Sequence, residues 1–277
     1  MDAQSFFPAG LYKGKTVFVT GGGSGINLGI AKGFAATGAN LAICGRTQAK
    51  LDGAAKELEA LGAKVSARAA DVRKPDELNA ALTQCRDTLG PIDILICGAA
   101  GNFLVPAEKL SPNGFKTVID IDLLGSFNAA RLAFDQLAQT KGSIIFISAG
   151  MGHMPYAFQL HVGAAKAGID QMMQNLALEW GQHGIRVNSI VPGPIAGTEG
   201  MKRLGGADHQ RRGGMGVPLG RMGTVEDIAQ AALFLCSPMA NWITGVVLNV
   251  DGGSGLAGSG SFNVNAARLL AEAQGTP

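Results

Sequence analysis

A glycine-rich turn close to the start of the chain constrains the fold more than any other feature. Residues 20–26 read TGGGSGI, with an apolar run before them at 16–19 and alternating apolar residues after them at 30–34. This order predicts a strand, a tight turn and a helix. Glycines let the backbone approach a ligand closely, and the start of a helix presents N–H groups to a phosphate. The stretch therefore predicts a dinucleotide site, and a plain glycine turn is the alternative.

Composition excludes several classes of function. The chain has 277 residues, of which 47% are hydrophobic and 16% are charged, as expected for an enzyme with a large core. The net charge is +2 and the chain has no basic run, so no nucleic-acid partner is predicted. The four cysteines are scattered without the spacing of metal ligands, so no metal site is predicted.

Hydropathy and the two ends of the chain predict its location. No apolar run approaches the roughly 20 residues of a membrane span, so no membrane partner is predicted. The first seven residues carry an acid and no cationic region, unlike a secretory signal. The last four residues, QGTP, do not form a peroxisomal address. We therefore expect a cytoplasmic protein.

Strand and helix patterns alternate along the chain. The strand candidates are residues 16–20, 41–44, 65–69, 92–96, 143–147, 186–190 and 246–250. Helical periodicity is found at 48–61, 75–89, 110–137 and 164–180. This alternation predicts an α/β fold in which a parallel sheet carries helices on both faces. Since no linker or repeat interrupts it, we predict a single domain over residues 1–277, with a core at about 14–253 and a C-terminal tail at 254–277.

Two segments stand apart from this alternation. Glycine and polar residues collect at 193–216, which predicts a mobile insertion beside a site. In the tail, residues 265–273 have the pattern of a short amphipathic helix. That helix either reaches a neighbouring subunit or is a loose terminal helix.

The segment after the second strand predicts which dinucleotide binds. This strand ends about 20 residues beyond the glycine turn, where an NAD site places an acid for the ribose 2′-hydroxyl. Arg46 stands there instead, and its planar guanidinium suits a 2′-phosphate. We therefore predict NADP(H) rather than NAD(H), with a solvated loop charge as the alternative for Arg46. Asp71, after the third strand, either accepts a bond from the adenine amino group or caps its turn.

Five motifs together make the chain resemble the short-chain dehydrogenase/reductase superfamily. They are residues 20–26, Asp71-Val72, the turn at 99–101, Lys166 at the opening of a long helix, and PGPI at 192–195. The resemblance covers about residues 14–253 and implies a Rossmann-type doubly wound parallel sheet of about seven strands, usually in a homotetramer. It also implies that the cofactor is bound by Gly21, Ser24, Gly25, Ile26, Arg46, Asp71, Val72, Ala99, Lys166, Pro192 and Ile195.

Longer stretches are similar to the 2,4-dienoyl-CoA reductases, especially the peroxisomal type. They are AAGNF at 99–103, DID at 120–122, GSFN at 125–128, KAGID at 166–170, EWG at 179–181, RVNS at 186–189 and PGPIAGTEG at 192–200. This resemblance implies an acyl-CoA substrate and the NADPH-dependent reduction of a 2,4-dienoyl-CoA to a 3-enoyl-CoA, a step of fatty acid β-oxidation.

The chain departs from the superfamily pattern at four positions. Asn27 replaces a glycine just after the turn; asparagine tolerates left-handed backbone, but we expect slightly looser packing of helix on strand. The other three are the positions of the superfamily's catalytic Tyr, Ser and Asn, which here hold Val162, Ala149 and Asp122. An ordinary alcohol dehydrogenase needs a phenol-like acid at the carbonyl oxygen, and Val162 cannot supply one.

The peroxisomal reductases also lack that Tyr, and the resemblance implies that acids and a lysine act around a water. The corresponding catalytic residues are Asp122, Lys166 and Asp170. Lys166 and Asp170 lie four positions apart, so their side chains share a helix face. A surface ion pair is the alternative for these two, and a satisfied structural acid is the alternative for Asp122.

Candidate substrate residues follow from position. Asn102 is placed to donate to the thioester oxygen, and Phe103 either walls the acyl pocket or packs in the core. Tyr156 is a rim residue or a substitute acid, and His161, beside the vacant Tyr position, is a packing residue or a second substitute acid. Two other functions therefore remain open: reduction of another carbonyl or enoyl substrate through Tyr156 or His161, and a catalytically silent NADP(H)-binding oligomer.

Overall fold

One parallel sheet forms the centre of the protein. The computed structural model describes residues 7–202 and 216–273, so the start of the chain and most of the insertion predicted at 193–216 lie outside the described residues. The seven strands lie in the order β3-β2-β1-β4-β5-β6-β7. They are β1 (Thr16–Thr20), β2 (Asn40–Gly45), β3 (Val65–Ala69), β4 (Ile94–Cys97), β5 (Ser143–Ile147), β6 (Arg186–Pro192) and β7 (Val247–Val250).

Helices connect these strands and cover both faces of the sheet. They are α1 (Gly25–Ala36), α2 (Gln48–Glu59), α3 (Pro75–Leu89), α4 (Pro112–Val118), α5 (Gly125–Thr140), α6 (Leu160–Trp180), α7 (Val225–Cys236), α8 (Ser254–Ala257) and α9 (Gly260–Ala273). A π-helical segment, Ile119–Leu124, joins α4 to α5. The predicted Rossmann-type doubly wound fold is thereby confirmed. No helix within the described ranges is both long and apolar enough to cross a membrane.

Two hydrophobic cores lie on opposite faces of the sheet. Successive strand residues point to opposite faces, so Val17 of β1 packs in one core while Phe18 packs in the other. The first core contains side chains from α1, α2 and α7, such as Phe34, and the second contains side chains from α3, α5 and α6, such as Met173. Because both faces are covered, the central strands are mostly apolar, and this apolarity allowed the sheet to be predicted from the sequence.

Element bounds differ from the prediction where an apolar pattern marks burial rather than pairing. Ile92 is fully buried but precedes β4, which begins at Ile94, because pairing with β1 starts only there. The helix predicted at 164–180 begins earlier, at Leu160. The tail helix predicted at 265–273 also begins earlier, at Gly260.

The single helix predicted at 110–137 is interrupted. Residues 119–124 are wound as a π-helix, in which each turn holds an extra residue. Asp122 lies in this segment, and its backbone carbonyl accepts a hydrogen bond from the Ser126 hydroxyl at 2.6 Å. Periodicity alone does not distinguish one π turn within an α-helix, so the sequence pattern could not locate it. Asp122 is the buried residue of this π-helical segment.

Candidate active site

A cavity of about 1050 Å³ opens at the carboxyl ends of the strands. In a doubly wound sheet ligands bind where the strand order reverses, which is here between β1 and β4. Thr20 ties the two strand ends together, since its hydroxyl oxygen accepts hydrogen bonds from the N–H groups of Gly98, at 3.0 Å, and Ala99, at 3.2 Å. The predicted turns after both strands therefore meet at one site.

The glycine turn has the geometry that a phosphate needs. Gly21 and Gly25 have φ angles of +70° and +60°, which favour glycine. A Cβ added to Gly25 would meet nothing within 4 Å. Ser24 precedes α1, and its side chain accepts no hydrogen bond from the helix. The first N–H groups of α1 thus adjoin open space in the cavity, an arrangement that fits a dinucleotide pyrophosphate.

Asn27, which stands where the superfamily has a glycine, tightens the packing at the glycine turn rather than loosening it. The residue lies within α1 and has no left-handed backbone. Its side-chain amide donates to the carbonyl oxygens of Gly98, at 2.8 Å, and Gly21, at 3.3 Å. A Cβ on Gly98 would lie 1.9 Å from the Asn27 side chain, so the amide fills the space above that glycine. The expectation of looser packing was wrong, because the amide bridges the two turns.

Charged side chains surround the end of the cavity that follows β2 and β3. Arg46 is exposed and lines the cavity, as does Lys50. The guanidinium of Arg73 donates to both carboxylate oxygens of Asp71 and holds the pKa of that carboxyl below its usual range, with a smaller contribution from the charge of Arg46. Asp71 also caps its turn, since Oδ1 accepts from the Arg73 N–H at 3.0 Å. Among the described residues Arg46 makes no direct ion pair, and its charge acts on Asp71 only at longer range.

Asp122 and Lys166 meet in the wall of the cavity. The two side chains are 1% and 7% exposed, and Lys166 Nζ lies 3.2 Å from Asp122 Oδ2. Asp122 Oδ1 accepts from the Gly101 N–H at 2.7 Å, and Lys166 donates to the carbonyl oxygen of Ile147 at 2.9 Å. Asp122 Oδ2 is buried and, apart from the ammonium group, accepts no hydrogen bond from the described residues. A buried charge pair of this kind retains capacity for a further polar group on the cavity side.

Asp170 is placed differently from the prediction. It shares the helix with Lys166, but its carboxylate accepts from the Ser148 hydroxyl at 2.6 Å and lies 3.2 Å from Nε2 of His153. Asp170 is buried and does not line the cavity, whereas Ser148 and His153 do. The expected three-residue set around one water is therefore corrected to a pair, Asp122 and Lys166, with Asp170 behind the wall.

Of the three candidate substrate residues, two line the cavity and one does not. Asn102 and Tyr156 line the cavity, and Oδ1 of Asn102 is buried with no partner among the described residues. Phe103 does not line the cavity; its ring lies 4.3 Å from that of His161, measured between centroids. Burial raises the pKa of the Tyr156 hydroxyl, and the nearby charge of Asp251 adds to this effect. Of the two alternatives for Phe103, the structure favours packing beside the site over a place in the cavity wall.

His161 is fully buried against Phe103. Neither ring nitrogen makes a hydrogen bond of normal geometry with the described residues. The Phe103 backbone is the polar group near the ring. Burial lowers the pKa of His161, and the charge of Asp122 opposes that shift to a lesser extent. His161 does not line the cavity; it precedes Val162, which stands at the position of the superfamily's catalytic Tyr.

Val162 and Ala149, which stand where the resemblance places the catalytic Tyr and Ser, both line the cavity. Every residue predicted to bind the cofactor lines the same cavity: Gly21, Ser24, Gly25, Ile26, Arg46, Asp71, Val72, Ala99, Lys166, Pro192 and Ile195.

Asp251 is a lining carboxylate that the sequence reasoning missed. It follows β7, and its oxygens accept from the N–H groups of Gly253, at 2.9 Å, and Gly255, at 2.8 Å. An acid directly after an apolar strand at the carboxyl edge was the available signal. It was overlooked because the Gly-Gly that follows reads as an ordinary turn.

Comparison with known proteins agrees with this geometry. A family model described as "Enoyl-(Acyl carrier protein) reductase" matches residues 21–255. The peroxisomal 2,4-dienoyl-CoA reductase of Saccharomyces cerevisiae, named as (3E)-enoyl-CoA-producing, is 45% identical over 88% of this chain and 85% of its own length. A Bacillus subtilis protein named "Probable 2,4-dienoyl-CoA reductase", (2E)-enoyl-CoA-producing, is 40% identical over 87% of this chain and 97% of its own.

A solved structure agrees as well. The crystal structure of a short chain dehydrogenase from Bacillus anthracis superposes with a TM-score of 0.79 at 40% identity, covering 87% of this chain and 96% of that one. The two chains therefore share their overall fold. The chain belongs to the short-chain dehydrogenase/reductase family and is an oxidoreductase that uses a nicotinamide cofactor.

Proposed function

We propose that the protein is an NADPH-dependent reductase of unsaturated acyl-CoA, which converts a 2,4-dienoyl-CoA to a 3-enoyl-CoA. The observation that carries this proposal is the buried Asp122–Lys166 pair in the cavity wall. The pair faces a cavity in which Val162 and Ala149 replace the hydroxyls of an alcohol dehydrogenase. The names of relatives at 40% and 45% identity support the same substrate class.

NADP(H) is the cofactor that the lining residues fit best. The glycine turn and the start of α1 suit the pyrophosphate, and Arg46 with Lys50 suits a 2′-phosphate. No acid lines the segment directly after β2, where a ribose 2′-hydroxyl would need one. The reduced nicotinamide supplies the hydride for the reaction.

Residues of this chain stabilise the negative charge that forms during the reaction and deliver the proton that completes it. As the far end of the diene is reduced, negative charge develops on the thioester oxygen, and the Asn102 amide and the Lys166 ammonium group are the donors that stabilise it. Asp122 fixes Lys166 in place and, together with it, holds the water that protonates the chain carbon. Asp170 acts through Ser148 and His153, whose positions in the wall it determines.

The position of the product double bond is open to direct test. The yeast relative is named for a (3E) product and the Bacillus subtilis relative for a (2E) product. We expect the (3E) product here, because the water beside Lys166 lies at the thioester end of the dienolate and protonates C2. A (2E) product requires protonation at C4, which is farther from the thioester. Chromatographic or NMR identification of the product distinguishes the two.

Tyr156 supports a second candidate function, the reduction of another carbonyl or enoyl substrate. Its hydroxyl belongs to the cavity wall, which is the observation in its favour. Burial and Asp251 both raise its pKa, which makes it a weaker proton donor at neutral pH. We therefore assign Tyr156 to the wall rather than to proton transfer.

The experiment follows NADPH oxidation with 2,4-hexadienoyl-CoA, and NADPH binding is measured separately by calorimetry. Binding together with turnover supports the proposal. Binding without turnover on any dienoyl-, enoyl- or ketoacyl-CoA would instead support the silent NADP(H)-binding oligomer. A homotetramer and a cytoplasmic location remain part of the proposal; light scattering in solution and localisation of a tagged protein test them.

A further inference from the structure

The C-terminal segment folds back onto the loop that follows β5. Ser259 donates from its hydroxyl to the Pro155 carbonyl at 2.6 Å, and Asn263 Oδ1 accepts from the Ala157 N–H at 2.9 Å. Ala266, one turn further along α9, is completely buried. These contacts contradict the expected loose terminal helix, and a reach to a neighbouring subunit stays a prediction. The tail is attached to its own substrate-side loop.

An aromatic pair joins the loop to the tail inside the cavity wall. The rings of Tyr156 and Phe262 meet edge to face, with centroids 4.9 Å apart and planes at 69°. Both side chains line the cavity, as do Met154 in the loop and Leu256 in α8. Leu256 is 93% exposed, so the wall presents open apolar surface to a ligand.

The order of strands separates the start of the tail from the strand that holds Lys166, and the Tyr156 loop after β5 lies between the two. Lys166 bonds to the last residue of β5, whereas α8 and α9 follow β7. β6 lies between these two strands, so two strand spacings, about 10 Å, separate their ends. A short acyl group held at Lys166 need not span this distance, whereas a longer chain can.

Charge favours the hydrocarbon end of the substrate over its phosphates at this wall. Among the described residues, the arginines and lysines that line the cavity are Arg46, Lys50 and Lys166. None of them lies in the tail or in the loop at 153–158. With no arginine or lysine at this wall to pair with a phosphate, its apolar side chains suit a methylene chain better than the nucleotide part of CoA.

We propose that Phe262, supported by Tyr156, contacts the distal part of the acyl chain and that α9 thereby sets the chain-length preference of the enzyme. This inference rests on the proposed function and specifies its substrate. The edge-to-face contact holds the Phe262 ring in one orientation, and the two hydrogen bonds to the loop fix α9 against it. Residues near the end of the chain thus determine which substrate is reduced, although they touch neither Asp122 nor Lys166.

The test compares Phe262→Ala with the wild type on 2,4-hexadienoyl-CoA and 2,4-decadienoyl-CoA. Loss of the ring contact should raise KM for the longer substrate about ten-fold, while KM for the shorter one changes less than about two-fold. Phe262→Leu, which keeps an apolar side chain, should show only a small part of this increase in KM. Val264→Ala is the matched control, since Val264 lies on the same helix but is 75% exposed and does not line the cavity.

An equal change of KM for both substrates, or no change for either, overturns the inference. NADPH affinity within about two-fold of wild type shows that the variant is folded, and a Phe262→Ala protein that fails this check is replaced by Phe262→Ser and Phe262→Thr, which also remove the ring. If the wild type reduces neither substrate, the proposed function fails instead. Calorimetric binding of decanoyl-CoA and hexanoyl-CoA to the NADP-loaded protein then still tests the chain-length role, because selective weakening of decanoyl-CoA in Phe262→Ala supports it and equal affinities contradict it.

Discussion

The ammonium group of Lys166 lies 3.2 Å from Oδ2 of Asp122, and water has almost no access to either group. Each partner is also held by the backbone, Asp122 through the Gly101 N–H and Lys166 through the Ile147 carbonyl. Removing one partner of such a pair leaves an uncompensated buried charge. The pair is therefore both the candidate proton-transfer group and a structural tie between the turn after β4 and α6.

Conservative changes separate these two roles. Asp122→Asn and Lys166→Met should each lower kcat with 2,4-hexadienoyl-CoA by at least about 100-fold, because the charge and the transferable proton are lost while the volume is kept. NADPH oxidation by the purified variants is the measurement. The double variant that combines Asp122→Asn with Lys166→Met should regain stability relative to either single variant, since no lone charge remains, but not activity.

The exposed pair Lys116 and Asp120 provides the matched control, since it lies on the same helical stretch and is also an ion pair. Lys116→Met with Asp120→Asn should change the free energy of unfolding by no more than about 0.5 kcal/mol and leave kcat unaltered. Full turnover by Asp122→Asn would contradict the proposed mechanism.

Arg46 should determine the choice of dinucleotide. Arg46→Ala is expected to weaken NADPH binding by about 10- to 100-fold, because a charge-assisted bond to the 2′-phosphate is lost, and to leave NADH binding unchanged. Calorimetry with both cofactors measures this. Arg68→Ala is the control, since Arg68 bonds to Gln84 on the surface and does not line the cavity. Equal loss for both cofactors would refute the assignment of Arg46 to the phosphate.

His161 should make the protein sensitive to mild acid. Burial lowers its pKa, so the unfolded chain takes up a proton near the ordinary value of about 6.5 while the folded protein stays neutral to a lower pH. The unfolded state then binds more protons, and the contribution of His161 to stability, complete above about pH 6.5, is lost as the pH falls below that value. Urea unfolding at about pH 7.5 and pH 5.5 measures the loss.

In His161→Gln the decrease in unfolding free energy between these two pH values should be smaller than in the wild type. His183→Gln, at an exposed position, should keep the wild-type decrease. An identical pH dependence in all three proteins would show that His161 does not carry the effect.

Asn27 should stabilise the two turns that it bridges, after β1 and after β4. Asn27→Ala removes two hydrogen bonds to backbone carbonyls and should lower the free energy of unfolding by about 1–2 kcal/mol. Denaturant titration measures the change. Asn79→Ala, on the exposed face of α3, should cost no more than about 0.5 kcal/mol. A neutral Asn27→Ala would mean that the bridge between the turns contributes nothing.

Much of the cofactor half was predictable because its signals are local. A glycine turn between an apolar strand and a helix predicts a phosphate site within a few residues, and the end of the strand before Arg46 can be read from the sequence. The vacancy at Val162 is likewise a matter of residue identity. By contrast, Asp170 was expected to stand beside Lys166 at the cavity, and helical spacing cannot tell that its carboxylate is taken by Ser148 and His153.

The amino-acid sequence by itself determined the parallel α/β class, and it predicted the dinucleotide turn and placed Val162 and Ala149 at the positions that the resemblance gives to catalytic hydroxyls. Each of these depends on residue type and on contacts within one strand–turn–helix unit. Only the tertiary structure decided which acid meets Lys166, how Asn27 bridges two turns, and that α9 closes on Tyr156. These depend on a π turn and on contacts between segments up to about a hundred residues apart, for which chain-entropy cost and side-chain fit, not local propensity, are decisive.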